Sequence, residues 1–225
     1  ENIWGCAIEC GEMEDLWTEP PEDAWRMTKN PTDAPRGSLE IVIGFDRGVP
    51  VSIDGNPMGP VELLEWMNDL AGRYGIGRMD MVENRVVGLK SREVYEGPAA
   101  VILHQTHLEL ERIVLDRATS QYKARVAQDF ANLVYDGLWF GPLREALQAF
   151  ICETQKLMTG EVRVRLSAGT ALVTGRRSPF SLYDDGLATY SVGDTFDREA
   201  ADGFLKLYGL SYATWGRIRR QNRGD

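Results

Sequence analysis

The sequence is poor in the residue types that most often carry metal or covalent chemistry, with 2 histidines and 3 cysteines among 225 residues. Cys6 and Cys10 lie close together, but no second Cys or His pair accompanies them, so no zinc site is predicted. An odd, low number of cysteines predicts reduced thiols, not a disulfide framework. His104 and His107 could share one helix face, yet the nearby acids do not stack on it. We therefore assign no metal ligand and no catalytic nucleophile, and predict a packing role for His107.

Two further absences limit the possible functions. There is no G-x-x-x-x-G-K-[ST] motif, and no G-x-G-x-x-G follows a strand and opens a helix, so no nucleotide-phosphate or other cofactor site is expected on this chain alone. The nearest stretch, GRYGIG from Gly72 to Gly77, follows a helical pattern and is interpreted as a helix stop. No apolar run reaches membrane-spanning length, and the first residues lack the basic-then-apolar pattern of a leader. These features predict a cytoplasmic protein with no membrane partner.

The charge balance argues against nucleic acid as a partner. The chain carries 25 basic and 34 acidic residues, a net charge of −9, whereas nucleic-acid binding rewards an excess of positive charge. A zwitterionic or cationic small molecule, or another protein, fits better. The short basic tail, Arg217 to Arg223, accompanies Trp215 and Ile218. We interpret it as an arm that docks on an acidic protein surface, for example a sister subunit.

Hydrophobic periodicity predicts an α+β domain: an antiparallel or mixed sheet packed with long helices, followed by an extended C-terminal arm. Hairpins are predicted around Asp46-Arg47-Gly48 and in EVRVRLSAGTALVTG. Helices are predicted from Pro60 to Gly72 or Gly75, from Pro98 to about Asp116, over about Ser120 to Tyr135, from Pro142 to Gly160 and from Arg198 to Tyr208. The segment from Glu14 to Arg36 is expected to be irregular, with a short helix around Asp23 to Met27.

The stretch VENRVVGLKSREVYEGP, from Val82 to Pro98, mixes valines with charges. The part up to Lys90 is a strand candidate whose alternation breaks at Val86-Val87, which predicts a bulge or burial on both sides. The local pattern alone favours a half-buried strand with surface ion pairs formed by Glu83, Arg85, Lys90 and Arg92. The alternative is an amino-acid site: Glu83 would pair with an ammonium group, and free N–H groups at the following helix start, beside Tyr95, would bind a carboxylate.

Several long words of the sequence resemble those of the argininosuccinate synthase family. They are GRMDMVENRVVGLKSREVYEGPAA, NIWGCAIECGEMED, FANLVYDGLWFGPLREAL, GEVRVRLSAG, GRRSPFSLYDDGLATY and DTFDREAADGFLKLYGL. The resemblance covers nearly the whole chain, but only the C-terminal part of the family. The family's N-terminal nucleotide domain, with its SGG-x-D-[ST]-S loop, has no counterpart in this sequence.

The resemblance implies a ligase that condenses citrulline and aspartate, using ATP with magnesium, to argininosuccinate, AMP and pyrophosphate through a citrullyl-adenylate. It implies arginine biosynthesis or the urea cycle, and a homotetramer. On this basis residues 1–204 are expected to form the synthetase domain and residues 205–225 the oligomerisation arm. The chain alone is expected to be inactive and to need the nucleotide domain as its partner.

The same resemblance implies two citrulline contacts. Glu83, in the V-E-N word, would pair with the charged amino-acid end, and Tyr95, in the Y-E-x-P-A word, would contact citrulline through its hydroxyl. In such a ligase catalysis is mostly positioning, so no nucleophile is expected in this half. One departure concerns Ala7, where relatives commonly have a serine ligand. That change leaves a second interpretation open, a stand-alone binding or scaffold module that kept the fold without the chemistry.

Overall fold

Two antiparallel sheets and seven helices make up the described part of the chain, which in this computed structural model comprises residues 2–189 and 195–222. The strands are β1 (Cys6–Glu9), β2 (Leu39–Asp46), β3 (Val49–Ile53), β4 (Asn56–Pro57), β5 (Arg78–Asn84), β6 (Lys90–Glu96), β7 (Gly160–Ser167) and β8 (Thr170–Arg177). The helices are α1 (Pro60–Arg73), α2 (Pro98–Val114), α3 (Arg117–Tyr135), α4 (Pro142–Thr154), α5 (Asp185–Ala188), α6 (Arg198–Tyr208) and α7 (Leu210–Gln221). The predicted α+β class is confirmed.

The larger sheet has the strand order β4-β3-β2-β7-β8, with every described pairing antiparallel. The predicted first hairpin forms at Arg47 and Gly48, whose φ angles of 47° and 82° are those of a tight hairpin turn. The central strands β2 and β7 pair Ile41 with Val164 and Ile43 with Val162. Because side chains alternate along a strand, one face of this sheet is apolar and the other carries polar residues.

Helices α1 and α2 cover the apolar face of the larger sheet. They pack against each other, α1 lies against β3, and α2 lies against β7 and β8. Both begin with a proline at the first turn, as predicted, where the missing N–H costs no hydrogen bond. The core includes Ile43, Phe45, Leu63, Met67, Ile102, Leu110, Val162 and Leu166. Each such buried side chain contributes roughly 1.5–3 kcal/mol to folding.

Helix α3 starts three residues before the predicted position, since Asp116 caps it by accepting the N–H groups of Ala118 and Thr119. It packs on α4, with the rings of Tyr122 and Phe150 edge to face. The Nζ of Lys123 contacts the buried Glu111 of α2 at 2.6 Å. These contacts fix α3 against the core helices. The fourth helix is shorter than predicted and ends at Thr154.

The smaller sheet corrects the prediction of one continuous strand up to Lys90. Its strand order is β1-β6-β5, and the chain turns back at residues 85–89, where Gly88 has a φ of 91°. Val86 and Val87 are therefore neither bulged nor buried: they lie in the turn, 69% and 82% exposed. Strands β1 and β6 were not predicted as separate elements. Between Glu14 and Arg36 the predicted short helix is reduced to a 3₁₀ turn at Glu22–Ala24.

One face of the smaller sheet is covered, because Val94 of β6 packs with Ile8 of β1 and with Met13, Ala24 and Trp25 from the preceding segment. The opposite face carries the side chains considered below. Backbone pairing between the strands and this small apolar cluster hold the sheet together.

Contacts divide the chain into two units, Glu1–Leu182 and Tyr183–Asp225. In the second unit, α6 is found at its predicted position, whereas α7 was not predicted and contains Trp215, Ile218 and the arginines up to Arg220. The ring of Phe204 stacks on that of Tyr208, and the guanidinium of Arg219 lies over Trp215. Arg223, the last arginine of the basic tail, lies outside the described residues. The division into residues 1–204 and 205–225 stays a prediction.

Candidate functional site

The two predicted site residues lie on the same open face of the smaller sheet. Tyr95 of β6 is the Cα partner of both Ala7 of β1 and Met79 of β5. Glu83 lies further along β5, opposite Ser91. Because alternate residues of paired strands point the same way, the side chains of Ala7, Glu9, Met79, Met81, Glu83, Glu93 and Tyr95 share this face. This face is accessible to solvent, since Met79 and Met81 on it are 40% and 47% exposed.

The structure brings Glu83 and Tyr95 into direct contact. The Tyr95 hydroxyl lies within hydrogen-bond distance of Glu83 Oε1 and, at 2.8 Å, of Glu93 Oε2. Both carboxylates are largely buried, with 10% and 8% of their side chains exposed. A phenol has one proton, so it can donate to only one of these two oxygens at a time. Two carboxylates thus compete for a single donor.

Two more residues complete this group, which we call the carboxylate–tyrosine cluster: Glu83, Arg85, Glu93, Tyr95 and Tyr135. The Tyr135 hydroxyl, from the last residue of α3, donates to Glu83 Oε2 at 2.9 Å. The Arg85 guanidinium pairs with Glu93 Oε1 and lies 3.7 Å from Glu83 Oε2. Two carboxylates face one guanidinium, so the cluster holds an excess of negative charge that favours a bound cation.

Both tyrosines of the cluster are stabilised as neutral phenols. Burial raises the pKa of Tyr95, and the adjacent carboxylates of Glu83 and Glu93 raise it further, because a phenolate would be repelled there. The hydrogen bond to Glu83 likewise raises the pKa of Tyr135. At neutral pH each tyrosine is therefore a hydrogen-bond donor to a carboxylate and not a proton acceptor or nucleophile.

A third glutamate, Glu96, points to the opposite face and fastens the covering segment to β6. It is 3% exposed. Its carboxylate accepts the backbone N–H groups of Arg26, Met27 and Thr28 at 2.6 to 3.1 Å and is also bonded by the Thr28 hydroxyl and the Cys6 thiol. Burial acts to raise the pKa of Glu96, but the Thr28 hydroxyl and the backbone donors outweigh burial and lower it. Glu96 is a structural anion.

The other charged residues between Val82 and Pro98 either make structural contacts or belong to the cluster. Arg92 binds Asp80 at 2.6 Å and the carbonyl oxygens of Met13, Asp15 and Thr18, so its role is to hold the covering segment. Lys90 donates to Asn84 at 2.7 Å. Arg85, which the local pattern placed among surface ion pairs, belongs to the cluster instead, together with Glu93. Because Glu93 and Tyr95 are two residues apart, their side chains share one face of a strand, and this spacing could have placed Glu93 in the site.

The start of α2 does not offer the carboxylate site of the alternative reading. Pro98 has no N–H, and the Asn68 side chain already accepts the N–H of Ala99 at 2.9 Å. This helix start therefore has fewer N–H groups with which to bind a ligand carboxylate. The case for an amino-acid ligand rests on the carboxylate–tyrosine cluster and its preference for an ammonium group.

The other sequence candidates have structural surroundings. His107 Nε2 lies 2.8 Å from Gln155 Oε1, and its Nδ1 lies 3.4 Å from Glu111; burial lowers the pKa of His107, which agrees with the predicted packing role. Cys6, Cys10 and Cys152 form no disulfide within the described residues. Within residues 2–189 and 195–222 no group of three or more His, Cys, Asp or Glu is placed to hold a metal ion. No helix in these residues has the length and apolarity to cross a membrane.

The fold and the cluster together define a class: an α+β domain with an acidic, tyrosine-lined face suited to a positively charged group. Residues 1–215 match the family described as the arginosuccinate synthase C-terminal domain. The chain therefore belongs to this family, which confirms the resemblance drawn from the sequence words.

Curated relatives of the chain bear the name argininosuccinate synthase. The protein from Chlorobium luteolum is 51% identical over 218 residues, which is 97% of this chain and 54% of the relative. That from one strain of Chlorobium phaeobacteroides is 53% identical over 218 residues, 97% of this chain and 54% of the relative. The Chlorobaculum tepidum protein is 50% identical over 220 residues, which is 98% of this chain and 55% of the relative. The chain spans about half the length of the curated relatives it matches.

Proposed function

We propose that the chain forms the C-terminal part of an argininosuccinate synthase, which condenses citrulline with aspartate at the expense of ATP. In this reaction the ureido oxygen of citrulline attacks the α-phosphate of ATP and releases pyrophosphate. The amine of aspartate then displaces AMP from the citrullyl-adenylate to give argininosuccinate. The chain supplies one side of the citrulline site, and the N-terminal half supplies the nucleotide and aspartate contacts.

The observation that carries this proposal is the contact between Glu83 and Tyr95 within a cluster that lacks one positive charge. The ammonium group of an amino acid provides that charge. Its N–H groups can donate to the carboxylate oxygen of Glu83 or Glu93 that does not receive the single Tyr95 proton. Glu83 binds the ammonium by charge pairing, and Tyr95 adds its hydroxyl. Because neither residue exchanges a proton in this scheme, their contribution is binding and orientation.

Ala7 supports the view that one contact of the usual site is changed. It lies directly across from Tyr95, on the open face, so a serine at this position would add a hydroxyl beside the phenol. With alanine that hydroxyl is lost. This observation also favours the second candidate function, a non-catalytic binding or scaffold module, and weaker citrulline binding is expected under either.

Other features of the proposed enzyme follow from the family and stay proposals. They are a cytoplasmic location, a role in arginine biosynthesis or the urea cycle, and assembly into a homotetramer. Magnesium would accompany ATP in the complete enzyme. In the part of this chain that the structure describes, no group of three or more His, Cys, Asp or Glu is placed to hold it. The chain alone is proposed to be inactive.

Reconstitution tests the proposal. The chain is mixed with, or joined to, the N-terminal half of the Chlorobium luteolum relative, and citrulline-dependent formation of AMP and pyrophosphate is measured. The expected result is turnover by the pair and none by either half. Turnover by the chain alone would refute the division of labour. A folded pair that neither turns over nor binds citrulline would favour the scaffold function.

A further inference from the structure

Tyr135 reaches the cluster from a different element than the other four residues. It is the last residue of α3, whereas Glu83, Arg85, Glu93 and Tyr95 belong to the β5–β6 hairpin. Its hydroxyl donates to Glu83 Oε2, while the Tyr95 hydroxyl contacts Oε1 of the same carboxylate. Each oxygen of Glu83 thus faces one phenol, and because Glu93 competes for the Tyr95 proton, Tyr135 is the phenol that donates to Glu83 alone.

The end of α3 sets the position of this hydroxyl. Gly137 takes a φ of 73°, and the N–H groups of Gly137 and Leu138 bond to the carbonyls of Val134 and Leu133, which closes the helix directly after Tyr135. Further back, Lys123 joins α3 to Glu111 of α2. Tyr135 is therefore delivered by a helix that is anchored to the core helices and not by the hairpin itself.

We propose that Tyr135 is a positioning residue for Glu83: it aligns the carboxylate that receives the ligand's ammonium group and so determines affinity for the amino-acid substrate. This inference rests on the proposed function and adds a residue and an element to its site. Tyr135 is half exposed and contributes little core packing, so the hydrogen bond to Glu83 is its main described interaction. Without that bond, Oε2 keeps only the longer contact to Arg85.

The test compares Tyr135→Phe with Tyr122→Phe in the assembly of this chain with an N-terminal half. Tyr122 lies on the same helix and is similarly exposed, and its hydroxyl makes no hydrogen bond to another described residue. Tyr135→Phe is expected to raise KM for citrulline roughly tenfold, the effect of losing one hydrogen bond to a charged group, with kcat and KM for ATP unchanged. Tyr122→Phe is expected to change none of these constants.

A double-mutant cycle with Glu83→Gln separates positioning from general structural damage. If Tyr135 acts through Glu83, its substitution in the Glu83→Gln background raises KM for citrulline less than twofold further. The melting temperature of the chain itself should be the same for both tyrosine variants. Full additivity of the two changes, or an unaltered KM in Tyr135→Phe, would overturn the inference. An unchanged KM for citrulline in Glu83→Gln would instead refute the proposed function of the cluster. That outcome is distinct from the two that refute only the positioning role of Tyr135.

Discussion

Three glutamates within one short region, Glu83, Glu93 and Glu96, show how local direction decides the role of a carboxylate. Glu93 and Glu96 lie on the same strand but point to opposite faces. Glu96 is satisfied by backbone N–H groups and the Thr28 hydroxyl, and needs no further partner. Glu83 and Glu93 instead share one phenol and one guanidinium, which leaves them able to bind a cation.

Glu96→Gln should destabilise the fold by roughly 2 kcal/mol at pH 7, since a buried carboxylate with several donors is replaced by an amide that cannot accept them all. The pKa of Glu96 is lowered in the folded state, so its stabilisation is present above the ordinary value of 4.5 and is lost as the pH falls below it. The difference between the variant and the parent should therefore shrink toward acid pH. Chemical denaturation at several pH values measures this, with the exposed Glu65→Gln as control. A constant difference down to pH 3, on the order of a unit below that ordinary pKa, would contradict the assignment.

At this scale the sequence predicted part of the site. Glu83 and Tyr95 came from sequence words that resemble a known family, and the structure places them in contact. Glu93 could have been found from strand alternation once β6 was recognised as a strand. Tyr135 could not, because its approach depends on how α3 packs, and such tertiary placement leaves no local pattern in the sequence.

Among the elements, the β5–β6 hairpin is the one that most shapes the open face. Its turn contains Val86 and Val87, whose β-branched side chains are typical of strands and led to the wrong prediction of a continuous strand. The chain reverses there through the positive φ of Gly88, the bond from the Arg85 N–H to the Leu89 carbonyl and the bond from the Gly88 N–H to the Arg85 carbonyl. Helix α7 escaped prediction for the opposite reason: several arginines interrupt its apolar pattern, so its periodicity is weak.

The hairpin turn makes a direct stability prediction. Val87→Ser should change the free energy of unfolding by less than about 0.5 kcal/mol, because the side chain is mostly in solvent. Val94→Ala in the adjoining strand should cost about 2 kcal/mol, since Val94 is 2% exposed and packs in the small cluster under the sheet. Urea denaturation of both variants checks the pair. Equal losses at the two positions would mean that residues 85–89 are buried after all.

On the scale of the whole molecule, the second unit exposes many large apolar side chains. They include Phe204, Leu205, Leu207, Tyr208, Leu210, Tyr212 and Trp215. Solvent-exposed apolar residues at this density are typical of protein–protein contacts. Removal of residues 205–225 is therefore expected to reduce the mass measured by light scattering, as the proposed oligomerisation arm requires. An identical mass for the shortened and intact chains would assign these residues another role.

The central claim is that Glu83 binds the ammonium group of citrulline, and the affinity of the reconstituted assembly for citrulline tests it most directly. Glu83→Gln keeps the shape of the side chain and removes its charge. KM for citrulline should rise more than about thirtyfold, the effect of leaving a buried charge partner unpaired, while KM for ATP stays unchanged. Glu65→Gln should match the parent. An unchanged KM for citrulline in Glu83→Gln would contradict the account.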